Sequence, residues 1–566
     1  MLQDHFLAVR KAIADERFDD LATLPLQRHT HFNWYAEVFE GICLNDHPDA
    51  TALIWTDGTR EERHTYRDLG QRTDRLLAHL RAEGIGQGAV IYTQVALELP
   101  IWDAHLAAIK GGLQLIPAAT VLAVPDIVHR FTTVLPDVVL ADATTAPVID
   151  AALRTMGKEV RVKLLIEGEL AGWTPYTAVT AAPHVPQTAV HSGADDPLFL
   201  FFTNGTTGMP KVVVHTHLSY PLGHLTTASW IGMRPGEVHY NISQPGWGKF
   251  AWSSFFAPLS MGATIFAFHP PGRFNANEQF RMMAQHRVTT FCAPPTALRL
   301  LIQHPPAEWR HSLRQCVAAG EPLNPEVIEA WRAITGLTLR DGYGQTESTC
   351  MVANLPGCAI KPGSMGHPTY LYDIVIADDE GRILPADEEG NICVRTGGTK
   401  PNGIFHHYLA DEAKMRSVFK HGLYYTGDKA YQDEAGYIWF VGRDDDVIKA
   451  SDHRVGPFEV ESVLLEHAAV LESAVVGSPH AVRGYEVKAF VVLAAGHTPS
   501  EELARTLFQH ARERMAPYKL PRLIEFVTEL PKTMSGKIRR VELRGMEADR
   551  KAKGIKGPHE YSPGGR

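Results

Sequence analysis

Apolar residues recur along the chain in two rhythms. The first is helical: Phe6, Val9, Ile13 and Phe18 return at roughly helical spacing, interrupted by Asp4, Arg10, Lys11, Asp15, Glu16 and Arg17. This predicts an amphipathic N-terminal helix, and charge throughout the stretch is at odds with a signal peptide. The second rhythm alternates short apolar runs with helical segments. Between about residues 51 and 265, runs at 89–95 and 113–116 flank a helical stretch at 101–109, the cadence of βα units feeding a largely parallel sheet. A segment rich in Ala, Pro, Thr and His at 180–196 reads as a linker, and a new apolar run starts at 198–202. Alternation resumes through 288–291, 316–319 and 337–339.

Residues 374–377, 391–395 and 437–441 then read as strands separated by turns at Asp379-Glu380-Gly381 and Glu389-Gly390, predicting a more antiparallel, β-rich region. The run Gly442-Arg443-Asp444-Asp445-Asp446 sets three carboxylates together after a strand, which marks an exposed turn and a domain boundary. Beyond it the pattern is compact α+β, with helices at 459–467 and 501–515 and strands at 474–476, 489–492 and 522–527. The charged, then Gly/Pro-rich tail after Arg544 is expected to fray. The fold class is therefore α/β: a large N-terminal domain, residues 1–442, of stacked βαβ-type sheets plus a β-rich subdomain, and a small α+β C-terminal domain, residues 443–566.

Composition narrows the function by exclusion. At 45% hydrophobic and 21% charged the chain is neither disordered nor coiled-coil, and a net charge of -9 gives no reason to expect nucleic acid or an anionic membrane. No run of eighteen apolar residues predicts a membrane span. The six cysteines, Cys43, Cys292, Cys316, Cys350, Cys358 and Cys393, form no C-x-x-C pair, so neither a zinc cage nor a disulfide framework is expected and a reducing cytoplasm fits.

The most informative segment is Thr203-Asn204-Gly205-Thr206-Thr207-Gly208-Met209-Pro210-Lys211, between an apolar run and the β-branched Val212-Val213-Val214. Glycines let the backbone approach a ligand closely, hydroxyls and amides donate, and the lysine supplies charge, all of which suits phosphate. Pro210 and the strand that follows distinguish it from a Walker A loop. A glycine-rich hairpin turn is the plainer reading of Gly-Thr-Thr-Gly alone, and the paired hydroxyls and the Pro-Lys ending argue against it.

This loop resembles the phosphate loop of the adenylate-forming superfamily, which includes acyl-CoA synthetases, luciferases and peptide-synthetase adenylation domains. The other motifs follow in order. Asp341-Gly342-Tyr343-Gly344-Gln345-Thr346-Glu347 resembles the central motif, which implies that Tyr343 lies against adenine, Thr346 meets the α-phosphate and Glu347 holds Mg²⁺. Ala319-Gly320-Glu321-Pro322 resembles the turn walling adenine and acyl group; Asp428, in Tyr425-Thr426-Gly427-Asp428, and Arg443 are implied at the ribose. The stretch 530–539 resembles the C-terminal lysine loop, so Lys537 is implied to bridge the substrate carboxylate and α-phosphate. The resemblance implies an acyl-CoA ligase with ATP, Mg²⁺ and CoA: a carboxylic acid becomes acyl-AMP, a thiol takes the acyl group, and the small domain rotates about a hinge at Asp445 between the steps.

The segment Ser451-Asp452-His453-Arg454 and Pro362–Gly366 bring the chain nearest the medium-chain acyl-CoA synthetases, whose CoA-nucleotide contacts map onto Arg483 and Arg522. Two positions depart from the pattern. Asp452 stands where the family has glycine along the pantetheine channel, and Asn204 where the phosphate loop has serine or glycine. They raise an alternative of specialisation for one half-reaction, with a partner enzyme for the other, or of acyl transfer to a carrier protein. The resemblance places the acyl pocket at Trp247, Gly248, Ala319 and Gly320, whose small residues leave room for an acid larger than acetate. His215 and His217 share one strand face and are expected to pack rather than bind metal, and Cys350 is expected to be structural.

Overall fold

The computed structural model describes residues 2–203, 210–397, 400–450, 453–480, 484–532 and 538–563, with His453 described for its backbone alone. The N-terminal helix spans Leu2–Ala14 and buries Phe6, Val9 and Ile13 in the main core; Phe18 instead opens a short 3-10 turn, Phe18–Thr23.

Four sheets organise the described residues. An eight-stranded sheet runs His407–Tyr408, Lys211–Thr216, Pro197–Thr203, Gln114–Pro117, Val90–Gln94, Val138–Ala141, Val162–Leu165, Thr174–Pro175. Its centre is parallel and Val90–Gln94 is buried at every position, as expected where helices cover both faces. A nine-stranded sheet carries six consecutive parallel strands, Thr51–Thr56, Thr264–Phe268, Val238–Asn241, Thr290–Ala293, Gln315–Ala319 and Arg340–Gly344. The strand expected at 337–339 starts later, at Arg340, because the preceding helix, Pro325–Thr335, ends on Gly336 at φ +72 and the chain turns there. A five-stranded antiparallel sheet is built from Ile374–Ala377, Gly390–Arg395, Phe419–Lys420, Leu423–Gln432 and Ile438–Arg443, as the β-rich reading requires.

The six-stranded fourth sheet lies wholly within residues 448–561, with its own core of Val475, Val487, Val491, Leu507 and Ile524. A large N-terminal domain of stacked sheets and a smaller α+β C-terminal domain are thus both present. The helix expected at 459–467 begins at Pro457, where proline's fixed φ suits the first helical turn. Among the described residues no helix is long and apolar enough to cross a membrane.

The tail departs from expectation. It does not fray after Arg544: a helix covers Arg540–Ala552, and Glu560–Tyr561 pairs antiparallel with Leu523–Val527. The cause is a buried charge. Lys488, fully buried in the strand Gly484–Leu493, places Nζ 2.8 Å from Glu525, 2.5 Å from Glu547 and 2.5 Å from Glu560, and two of those three carboxylates belong to the tail. These glutamates cluster as metal ligands might, and the ammonium sits among them. Arg550 adds 2.9 Å to Glu525, and Ser478 donates to Glu547 at 2.7 Å.

Removing one partner from a buried ion cluster strands the others, typically at a cost of about 3 kcal/mol or more. Lys488→Met is expected to lower C-terminal domain stability by about that amount, read as an earlier urea midpoint by far-ultraviolet dichroism. An unchanged midpoint would show that the tail is held by its apolar contacts instead.

Candidate functional site

The hairpin Pro197–Thr203 and Lys211–Thr216 closes with Thr203 opposite Lys211, so the loop between them is the hairpin connection. Asn204, Gly205, Thr206, Thr207 and Gly208 lie outside the described residues, as do Ser451, Asp452, Arg483 and Lys537. Lys211, at the loop's exit, is half-buried. Its Nζ stands 2.6 Å from Glu347 Oε1 and 3.0 Å from the Tyr408 hydroxyl, which itself donates to Glu347 Oε1 at 2.9 Å. Burial pushes the Glu347 carboxyl up, but the Lys211 charge and the hydrogen bonds from Lys211 and Tyr408 outweigh it and hold the group below its ordinary value. An ionised carboxylate is therefore kept in a buried place. Sequence reasoning missed Tyr408, which sits on the edge strand His407–Tyr408 laid against Lys211–Thr216.

A second carboxylate anchors the other side. Asp428, buried in the strand Leu423–Gln432, accepts from the Tyr343 hydroxyl at 2.5 Å and from Gln345 Nε2 at 2.6 Å. Gln345 also donates to Thr426 O at 3.0 Å and accepts from the Tyr424 hydroxyl at 3.2 Å. Burial raises the Asp428 carboxyl, and the Tyr343 hydrogen bond, the Arg443 charge and Gln345 offset only part of this. Arg443 is the register partner of Asp428, with its guanidinium directed to Asp445 at 3.6 Å. Asp445 and Asp446 in turn meet Arg544 of the last helix, so the acidic turn is tied to the C-terminal domain.

Thr346 is fixed through its carbonyl, which accepts from His215 Nε2 at 2.7 Å. His215 is held neutral, its pKa lowered to about 4 by burial despite that bond. The expectation that His215 merely packs is thus sharpened, while His217 is buried two residues along. Gly344 is required by contact: a Cβ there would fall 2.4 Å from the Trp252 ring and 2.1 Å from Thr349 O. Gly342 is equally pressed by Trp230, whose indole donates to Asp341 O. Asp341 is buried against its own backbone. Its Oδ1 accepts its neighbour's amide, Gly342 N, at 2.9 Å, and burial lifts its pKa to about 7.

The wall expected at Ala319, Gly320, Glu321 and Pro322 follows the strand Gln315–Ala319 at its carboxyl end, where open parallel sheets receive ligands. Gly320 holds φ +103, and a Cβ there would meet nothing within 4 Å, so the position faces open space. Glu321 is turned to the neighbouring helix, accepting from Thr296 at 2.8 Å and Arg299 at 3.2 Å. Trp247 precedes a helical stretch beginning at Gly248, and Lys249 donates to Ala319 O at 3.2 Å. That bond ties the segment after Trp247 and Gly248 to the end of the strand at Ala319. Cys350 is fully buried, and burial raises its thiol well above the usual range, as a structural cysteine requires.

Arg454 is exposed, and its charge acts on Asp379 and Glu389 of the β-rich region, apart from Glu347 and Asp428. Arg522 is exposed on the C-terminal domain. Arg540, two residues beyond Ile538, lies within the field of Glu321.

Comparison with known proteins shows the family. The profile of the AMP-binding enzyme family matches residues 43–408, and that of the AMP-binding enzyme C-terminal domain matches residues 459–537. The chain is 47% identical over 534 residues to 4-hydroxybutyrate--CoA ligase 1 of Metallosphaera sedula, covering 94% of this chain and 93% of that one. It is 40% identical over 504 residues to the mitochondrial acyl-coenzyme A synthetase ACSM3 of Mus musculus, covering 88% and 86%. Its fold superposes on the anthranilate CoA ligase AuaEII in complex with anthranoyl-AMP with a TM-score of 0.84 at 29% identity, covering 94% and 99%.

The buried Asp341 makes a pH prediction. Its pKa is near 3.8 in an unfolded chain and about 7 here, so between those values the folded protein keeps a proton that the unfolded chain has lost. Stability conferred by this site therefore falls as pH rises through that window. Relative to Asp341→Asn, the wild type is expected to lose thermal stability on going from the lower to the upper bound; parallel pH profiles for the two proteins would refute it.

Proposed function

The chain belongs to the AMP-binding enzyme family and is an ATP-dependent acid–thiol ligase that makes acyl-CoA through acyl-AMP, and on that premise we propose how its residues divide the work. The observation that carries the proposal is the assembly of Lys211, Glu347 and Asp428 around the Tyr343–Glu347 turn. ATP lies along that turn. Tyr343 packs against adenine with Gly342, Gly344, Gly320, Glu321 and Pro322 as walls, and Asp428 and Arg443 take the ribose hydroxyls. Tyr343 and Gln345 occupy Asp428 until the nucleotide arrives. Thr203 through Gly208 and Lys211 hold the outer phosphates, and Thr346, steadied by His215, meets the α-phosphate.

Glu347 fits a magnesium ion, because it is a hard oxygen ligand kept ionised in a buried position. The ion would neutralise phosphate charge beside it. In the first half-reaction a carboxylate oxygen bonds to the α-phosphorus and the bond to pyrophosphate breaks; Lys537 offsets the charge that develops there. In the second, a thiolate sulfur bonds to the acyl carbon and AMP leaves. Trp247, Gly248, Ala319 and Gly320 receive the acyl chain.

The two halves, residues 1–442 and 443–566, rotate about Asp445 between the steps. Two charge arrangements bear on this. Arg540, ion-paired 2.7 Å from Glu461, also feels the charge of Glu321. The charge of Arg454 meanwhile acts on Asp379 and Glu389, and rotation would bring it in with Ser451, Asp452 and His453 to guide CoA, whose nucleotide meets Arg483 and Arg522. Free, mostly buried cysteines suit a reducing compartment such as the cytoplasm.

Asn204 and Asp452 sustain a second reading, in which one half-reaction is weakened and a partner enzyme or a carrier protein completes the cycle. Separate assays decide. Lys537→Ala is expected to lower acid-dependent ATP–pyrophosphate exchange on the order of 10²-fold or more while leaving CoA thioester formation from a supplied acyl-adenylate largely in place. Intact exchange in the variant would remove Lys537 from the first step; a wild-type enzyme failing one assay with CoA present would favour specialisation.

A further inference from the structure

The segment 405–408 clasps Glu347 through both backbone and side chain. The Phe405 amide donates to the Glu347 carbonyl at 2.8 Å, the His406 amide to Val214 O at 2.7 Å, and the Tyr408 hydroxyl to Glu347 Oε1 at 2.9 Å. Tyr408 is 3% exposed and pairs in register with Val213, on the strand that begins at Lys211. Sheet pairing therefore fixes it where it stands. Burial and the Glu347 charge both raise its phenol, so it keeps the proton that it donates.

Lys211 is the other donor, and it is held less firmly. Its Nζ reaches the same oxygen, Glu347 Oε1, at 2.6 Å, touches the Tyr408 hydroxyl at 3.0 Å and lies 4.4 Å from the centre of the Tyr408 ring. Its side chain is 26% exposed against 11% for Glu347, so the ammonium can swing toward a phosphate where the phenol cannot follow. Of these two donors neither uses Oε2. Tyr424 stands behind them: it is buried, packs with Tyr408 against the Phe405 ring, and hydrogen-bonds both Tyr408 and Gln345 Oε1, the latter at 3.2 Å. A phenol has one proton to give, and Tyr424 can turn it to the Tyr408 oxygen that Lys211 vacates. Gln345 stays anchored meanwhile by its amide bonds to Asp428 and Thr426 O.

We propose that Tyr408, backed by Tyr424, is the positioning residue that keeps Glu347 aimed for magnesium once ATP draws Lys211 onto its phosphates. This rests on the reading that gives Glu347 to the metal and Lys211 to phosphate. Without Tyr408, departure of the lysine would leave a largely buried carboxylate free to rotate or to take up a proton. With it, one hydrogen bond remains on Oε1 and Oε2 is presented to the cation. The donor is neutral, so it adds no positive charge beside a divalent ion, as a lysine left in place would.

Calorimetric titration of ATP with magnesium, of ATP without it, and of AMP into full-length wild type, Tyr408→Phe and Tyr424→Phe tests this. AMP lacks the outer phosphates and reports whether the ribose end has kept its shape. Tyr408→Phe is expected to bind ATP about tenfold more weakly with magnesium present, most of the gain that the ion gives, while AMP stays within about twofold of wild type. Tyr424→Phe should show the same pattern at smaller size, and the double variant should be no weaker than Tyr408→Phe, because Tyr424 acts through it. In ATP–pyrophosphate exchange, Tyr408→Phe should raise KM for ATP about tenfold and leave KM for the acid in place. A magnesium gain intact in Tyr408→Phe, or an equal loss of AMP affinity, overturns the role. A wild type with no magnesium gain at all would sink the assignment of Glu347 with it.

Discussion

The ion pair between Lys211 and Glu347 is the contact on which the site depends. The Glu347 charge would not be tolerable so far from bulk water alone, since a buried carboxylate without a partner costs several kcal/mol or is simply protonated. Three remote pieces of chain must therefore arrive together: the exit of the phosphate-loop hairpin, the turn after Arg340–Gly344, and the edge strand that brings Tyr408. The eight-stranded sheet supplies Lys211 and Tyr408 and the nine-stranded sheet leads into Glu347. The antiparallel sheet adds Asp428, linked to the same turn by Tyr343 and Gln345. The site is where three sheets meet, and each contributes a charged group or its holder.

This arrangement explains how a site for a polyanion exists in a chain of net charge -9. Charge is placed in pairs and then exchanged. Lys211 and Tyr408 satisfy Glu347, and Tyr343 and Gln345 satisfy Asp428, so the protein is not left with unanswered buried carboxylates before its ligand arrives. In the proposed function, magnesium and ribose hydroxyls would then take over those lone pairs. The C-terminal domain uses paired charge structurally, folding its tail back around Lys488.

Much of this was legible in the sequence because its cues are local. Apolar runs at 374–377 and 391–395 are strands to within a residue, and the motifs containing Lys211, Tyr343, Glu347 and Asp428 are contiguous words with their chemistry in the residue types. What escaped depends on contacts between distant segments. Tyr408 meets Glu347 across 61 positions, and His215 reaches Thr346 across 131. The tail reads as charged and loose because its partner, Lys488, is an ordinary lysine within a strand pattern until its burial is known. Leu337 to Leu339 looks like a strand by composition, and the helix stop at Gly336 delays it.

The central claim is that Glu347 is held ionised so that a metal–nucleotide complex can claim it. Calorimetric titration of ATP into wild-type and Glu347→Gln protein, each with and without magnesium, tests this without depending on turnover. The account predicts that magnesium tightens ATP binding to the wild type by about tenfold or more and that the glutamine variant loses this gain. An identical magnesium effect in the two proteins would contradict it.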